Sequence, residues 1–144
     1  MIRFAKRATS VAGNRQLPSQ AALASLIESG LLARHVAKAR RVYAERHERI
    51  LCTLVADFAE WLTPVRSLTG MHLSAVLRSR SVRVEGELAA RAAREGVAFD
   101  RLSRYYATAR KKAGVVLGYG AITTHDITEG LRRLRHCCAA AHWR

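Results

Sequence analysis

Between Gly30 and Pro64 the chain contains neither glycine nor proline, and Val36, Tyr43, Ile50, Leu54, Phe58 and Trp61 recur there at intervals of three, four or seven residues. That is the period of one face of an α-helix. The spacing predicts a single helix over 32–61, and a helix of that length reaches about 45 Å. A rod so long suits a connection between two lobes better than packing inside one small domain.

The other elements are arranged around it. Leu23, Leu26 and Ile27 at helical spacing, with Pro18 in the first turn and Gly30 as a stop, predict a short helix over 18–30. Pro64 is expected to end the long helix, with strands at 65–68 and 71–77 around Thr69 and Gly70. A helix over 85–95 carries Leu88, Ala89, Ala92 and Ala93 inward and ends at Gly96, a strand starts at 97–99, and Tyr105 and Tyr106 lie in an extended segment. A buried strand over 113–119 and an amphipathic helix over 124–141, with Ile127, Leu131 and Leu134 inward, complete an α+β chain.

The 144 residues are one domain's worth, and an apolar fraction of 49% is that of a folding globular chain. No apolar run is long enough to span a bilayer, and the basic amino terminus lacks the apolar block of a secretory signal. The cytoplasm is therefore the expected compartment. Cys52, Cys137 and Cys138 form no CxxC pair, as a reducing compartment would allow. The net charge of +14 favours nucleic acid, an anionic ligand or an acidic partner without choosing among them.

Candidate chemistry is sparse. His136, Cys137, Cys138 and His142 invite a metal reading, but neighbours on a helix point about 100° apart and cannot converge on one ion. Arg41, Glu45 and Arg49 at i, i+4 spacing predict weak ion pairs. Arg34, Lys38 and Arg41 read either as a solvated face or as a phosphate-contacting stripe. His72 reads as a strand residue on the less buried face. Tyr105 and Tyr106, beside Arg104, Arg110, Lys111 and Lys112, are the best candidates for stacking on bases. Gly118-Tyr119-Gly120 lacks the rest of a phosphate loop, and no GxxxxGK[ST], GxSxG or HExxH occurs. No catalytic, cofactor-binding or metal residue is assigned.

An ordered set of short motifs nevertheless stands out: Gln20-Ala-Ala-Leu23, Ile27-Glu-Ser-Gly30, Arg34-His35-Val36 and Arg40-Arg41-Val-Tyr43-Ala-Glu-Arg46. Gly70-Met-His-Leu73, Ala93-Arg-Glu-Gly96-Val97, Leu102-Ser103-Arg-Tyr105-Tyr106, Val116-Leu-Gly118-Tyr119-Gly120 and Ile127-Thr-Glu-Gly130-Leu-Arg-Arg-Leu134 follow in order. Together they resemble the carboxy-terminal region of the MocR/PdxR family, whose members join a GntR-type winged helix-turn-helix to a domain like the fold type I, pyridoxal-phosphate-dependent aminotransferases.

The resemblance implies three parts: 1–31 as a remnant of the large cofactor-binding lobe, 32–62 as the interdomain helix, and 63–144 as the carboxy-terminal small lobe. It implies pyridoxal phosphate in the full-length family but none in this chain, because the family's cofactor lysine follows a serine. Lys6, Lys38, Lys111 and Lys112 instead follow Ala5, Ala37, Arg110 and Lys111. An arginine that pairs with a substrate carboxylate in related enzymes has no counterpart in Val115-Val116-Leu117. The chain is thus expected to be a non-enzymatic fragment of a transcriptional regulator, binding DNA only through an absent winged helix, making no membrane contact, and associating as a homodimer or through an exposed lobe face. A fragment of a class I/II aminotransferase and a free-standing basic nucleic-acid binder are the alternatives.

Overall fold

The computed structural model describes residues 17–65, 70–107, 111–141 and 143. The chain divides into two compact units, Met1–Ala39 and Arg40–Arg144. The expected strand at 65–68 lies outside the described residues save for Val65, which is not in a strand. The amino-terminal segment and His142 also lie outside them.

In the first unit, helix α1 (Leu17–Glu28) ends where Gly30 turns at φ +72°, and helix α2 (Leu31–Asp57) begins immediately after it. Leu23, Leu26, Ile27, Leu31 and Val36 are exposed.

The second unit takes in the rest of α2. The helix stops at Asp57, four residues before the expected Trp61. Packing overrides the periodicity here: Leu62 must turn off the helix to enter the sheet, and Trp61 N–H and Leu62 N–H both donate to the Phe58 carbonyl in doing so. Pro64 does not follow the helix as a terminator; it closes strand β1 (Leu62–Pro64), an edge strand where a missing N–H is tolerated.

Strand β2 (His72–Leu77), helix α3 (Val82–Arg94), strand β3 (Asp100–Arg101), strand β4 (Gly114–Gly118) and helix α4 (Thr124–Ala139) follow. The sheet order is β1-β2-β4-β3, every pair antiparallel. Alternation along β2 sends Leu73, Ala75 and Leu77 to a buried face and leaves His72, Ser74 and Val76 on the other. The buried face packs against Ile50 and Leu54 of α2, Leu88 and Ala92 of α3, and Ile127, Leu131, Leu134, Cys137 and Cys138 of α4. This is an α+β layer, a sheet with helices on one side.

Helix α3 is capped by Ser81, whose side chain accepts from Val84 N–H, and α4 by Thr123, which accepts from Asp126 N–H at 3.1 Å. Gly96 at φ +73° closes α3, and Val97 N–H returns to the Ala92 carbonyl. That closure displaces the expected strand at 97–99. Val97 and Phe99 spend their side chains on the core, and ladder pairing begins only at Asp100 and Arg101, opposite Val116 and Val115. Leu102–Tyr105 is a 3-10 turn rather than an extended segment. Among the described residues, no helix is long and apolar enough to cross a membrane.

Candidate functional site

The most concentrated chemistry in the second unit is a carboxylate. Glu85 sits in the first turn of α3 at an apolar-stripe position, between Val84 and Leu88, and is fully buried. Ser103 N–H donates to its Oε1 at 3.0 Å and Gly114 N–H to the same oxygen at 2.8 Å. The Ser103 hydroxyl and Arg101 Nε, the latter at 3.1 Å, donate to Oε2. Burial alone would raise the carboxyl, but the hydrogen bonds from Ser103, Gly114 and Arg101 outweigh it and hold it below the usual glutamate value. Glu85 is thereby an anion with its lone pairs spent. It ties α3 to the 3-10 turn and to the start of β4.

Gly114 completes the arrangement. A Cβ there would lie 2.2 Å from the Ala75 carbonyl oxygen and 2.9 Å from Leu102 Cδ2, so only glycine lets the β4 backbone come close enough to donate to Glu85. No sequence motif marks Glu85 as a site residue. A carboxylate inside the apolar stripe of an amphipathic helix was the available signal.

A second polar cluster lies where α2 meets the far end of β4. The Arg46 guanidinium donates to the carbonyls of Tyr119 and Gly120 at 3.1 and 2.9 Å, while its buried Nε has no partner. Tyr119 donates its hydroxyl proton to the Gly70 carbonyl at 3.0 Å, so the 3.1 Å contact with His47 requires His47 Nδ1–H to be the donor. Burial raises the Tyr119 phenol above its ordinary value. Both clusters brace backbone segments, and Tyr119 of the Gly-Tyr-Gly sequence is a core side chain.

The remaining candidates are scattered. His72 is exposed and lines a shallow hollow with Ser74, Tyr105 and Val116. Tyr105 is exposed and its hydroxyl donates to Asp100 at 3.1 Å, whereas Tyr106 is half-buried. Arg34, Lys38 and Arg41 are all exposed. Arg41, Glu45 and Arg49 do not form the expected ion pairs; Arg49 reaches Thr128 Oγ1 instead. Cys137 and Cys138 are buried in the core, with the Cys138 thiol pushed up to about 12 by burial, and no metal-ligating cluster occurs among the described residues. Lys38, Lys111 and Lys112 are exposed, and Lys6 lies outside the described residues.

The fold recurs in aminotransferases. Kynurenine aminotransferase of Pyrococcus horikoshii matches 80% of this chain, over 28% of its own, with a TM-score of 0.69 and 23% identity. The α-aminoadipate aminotransferase LysN of Thermus thermophilus matches 80%, over 29% of its own, with a TM-score of 0.68 and 26% identity. The chain has an aminotransferase-type fold, covering somewhat more than a quarter of such an enzyme.

The sequence points more narrowly. The probable rhizopine catabolism regulatory protein MocR of Rhizobium meliloti is 38% identical over 90% of this chain and 26% of its own length. An uncharacterized HTH-type transcriptional regulator of Bacillus subtilis, YhdI, is 28% identical over 81% of this chain and 24% of its own. The chain is similar to these regulators and spans about a quarter of the length of the curated relatives it matches. No family model matches it.

Proposed function

We propose that this chain is the carboxy-terminal part of the aminotransferase-like effector domain of a MocR-like transcriptional regulator, and that it performs no catalysis. The carrying observation is the 38% identity to MocR over nine-tenths of the chain, against 23 to 26% to the aminotransferases. On this reading 1–31 derive from the large lobe, 32–62 form the connecting helix and 63–144 the small lobe, in a cytoplasmic protein. DNA would be read by a separate winged-helix module, and association with itself or with a large lobe would use the exposed apolar side chains of α1 and the start of α2.

The solved aminotransferases were captured with pyridoxamine phosphate or a phosphopyridoxyl adduct. The residues described here do not fit such a group. The described lysines are exposed, and the buried carboxylate is already saturated by internal donors. The role left to the chain is structural: a preformed lobe.

The direct test replaces the matched quarter of Rhizobium meliloti MocR with this chain. A chimera that folds and still represses or activates in response to its effector supports the reading, and a folded chimera with no regulatory response refutes it. Separately, the purified chain titrated with pyridoxal phosphate should develop no visible absorbance of a protein-bound aldimine; a band removed by borohydride would overturn the non-catalytic assignment.

A further inference from the structure

We infer that the second unit carries a phosphate-binding site at the end of the sheet where β2 leaves it and β4 enters. Two adjoining hollows lie there. One, of about 520 Å³, is lined by Thr63, Val76, Leu77, Arg78 and Arg80; the other, of about 290 Å³, by Val76, Arg80, Lys111 and Lys112. They share Val76 and Arg80, so four cationic side chains border the two adjoining hollows, and no acidic residue lines either among the described residues.

Three features set these cations apart from the general positive charge of the chain. First, several arginines of the unit have a fixed partner, Arg83 with Glu87, Arg101 with Glu85, Arg132 and Arg133 with Glu129, Arg46 with two carbonyls, while Arg40, Arg41 and Arg135 have none among the described residues. The side chains of Arg78, Arg80, Lys111 and Lys112 meet no hydrogen-bond or ion-pair partner among the described residues. Gathering like charges without a counterion is unfavourable unless an anion repays it.

Second, Arg80 adopts φ +53°, the single non-glycine residue with positive φ among the described residues. Its N–H closes a tight turn onto the Leu77 carbonyl at 3.1 Å, a position that glycine or asparagine would occupy without strain. Strained residues of this kind gather at ligand clamps. Third, the acidic groups of α3 are engaged elsewhere. Glu85 is buried and saturated, and Glu87 is paired with Arg83. The two hollows thus present four hydrated cations and the Thr63 hydroxyl, without a competing carboxylate.

Four positive charges around two adjoining hollows suit a ligand with adjacent tetrahedral oxyanions. A single carboxylate would neutralise one of them. Successive phosphates of a nucleic-acid backbone and a free pyrophosphate share this chemistry.

The test compares the full chain with two triple variants of equal charge loss. One is R80G/K111Q/K112Q, in which glycine relieves the turn; the other is R34Q/K38Q/R41Q on α2. Binding of inorganic pyrophosphate by calorimetry, and of duplex DNA by fluorescence anisotropy across a salt series, is measured for each, with circular dichroism to confirm folding. The R80G/K111Q/K112Q chain should lose pyrophosphate binding and lower the salt dependence of DNA binding by about 3 in the log–log slope, one for each lost phosphate contact. The R34Q/K38Q/R41Q chain should keep both. Pyrophosphate binding that displaces DNA assigns the site to either source of phosphate, and DNA binding without pyrophosphate assigns it to the backbone. Equal losses in the two variants, or no binding of either probe to the unaltered chain at low salt, would overturn the inference.

Discussion

Replacing Glu85 with alanine removes one carboxylate and strands four donors. Ser103 N–H and Gly114 N–H are buried and both donate to Glu85, while the Ser103 hydroxyl can rotate and Arg101 is partly exposed to water. Leaving a buried donor unmade costs about 1–3 kcal/mol, and breaking one side of a buried charged pair about 3–5 kcal/mol in total, so the expected loss is about 4 kcal/mol. In a unit of this size that lowers the melting temperature by about 15 °C. Glu85→Gln should lose about half as much, because its amide oxygen can still accept both backbone N–H groups. Thermal melting and urea titration of the full chain measure the global effect, and amide hydrogen exchange at Ser103 and Gly114 measures the local one. A Glu85→Ala chain that melts within about 1 kcal/mol of the parent, or that keeps both amides protected, would refute the role of Glu85 as the tie between α3, the 3-10 turn and β4.

Because the Glu85 carboxyl sits below its ordinary value in the folded state, its ionisation stabilises the fold at pH values above that ordinary value of 4.5, and the contribution is lost as pH falls through the folded value. Urea midpoints of the parent should therefore fall more steeply below pH 4.5 than those of Glu85→Gln; parallel curves would contradict this. Gly114→Ala forces a Cβ against the Ala75 carbonyl and should destabilise by about 1–3 kcal/mol or more, read as a drop in melting temperature; an unchanged value would mean that β4 is free to shift. Thiol titration of the native chain should modify Cys52 quickly, with Cys137 and Cys138 reacting only in denaturant, since both are buried and their thiols are raised. Thr123→Ala removes the α4 cap and should cost about 1 kcal/mol in a urea titration; no measurable cost would show that the cap is dispensable.

The helices were legible because each writes its own pattern. The 3.6-residue recurrence in α2, α3 and α4 survives into the fold with Ile50 and Leu54, Leu88 and Ala92, Ile127 and Leu131 inward, whereas Val36 and Ala93, expected on the same faces, are exposed. Strand β2 was legible for the same reason at a period of two, and β4 as a short continuous apolar run that is buried at Gly114, Val115 and Val116. Boundaries were less so. Trp61 continues the apolar spacing of α2, yet the chain leaves the helix at Asp57, since a local period carries no information about where Leu62 must pair with Leu77. The two-residue strand β3 falls after the apolar Val97–Phe99 stretch because its partner, β4, lies opposite Asp100 and Arg101.

The sequence by itself determined the α+β character, the order of the elements and the MocR-like resemblance, all of which reside in periodicity and ordered short motifs. The polar contacts were decided by tertiary structure. Glu85, Ser103 and Gly114 are separated by 18 and 29 residues from carboxylate to donor, and Arg46 from the carbonyl of Tyr119 by 73. No local pattern marks such groups as partners. They meet because burial of the apolar faces sets helix against sheet, and the polar groups carried along must then be satisfied where the packing leaves them.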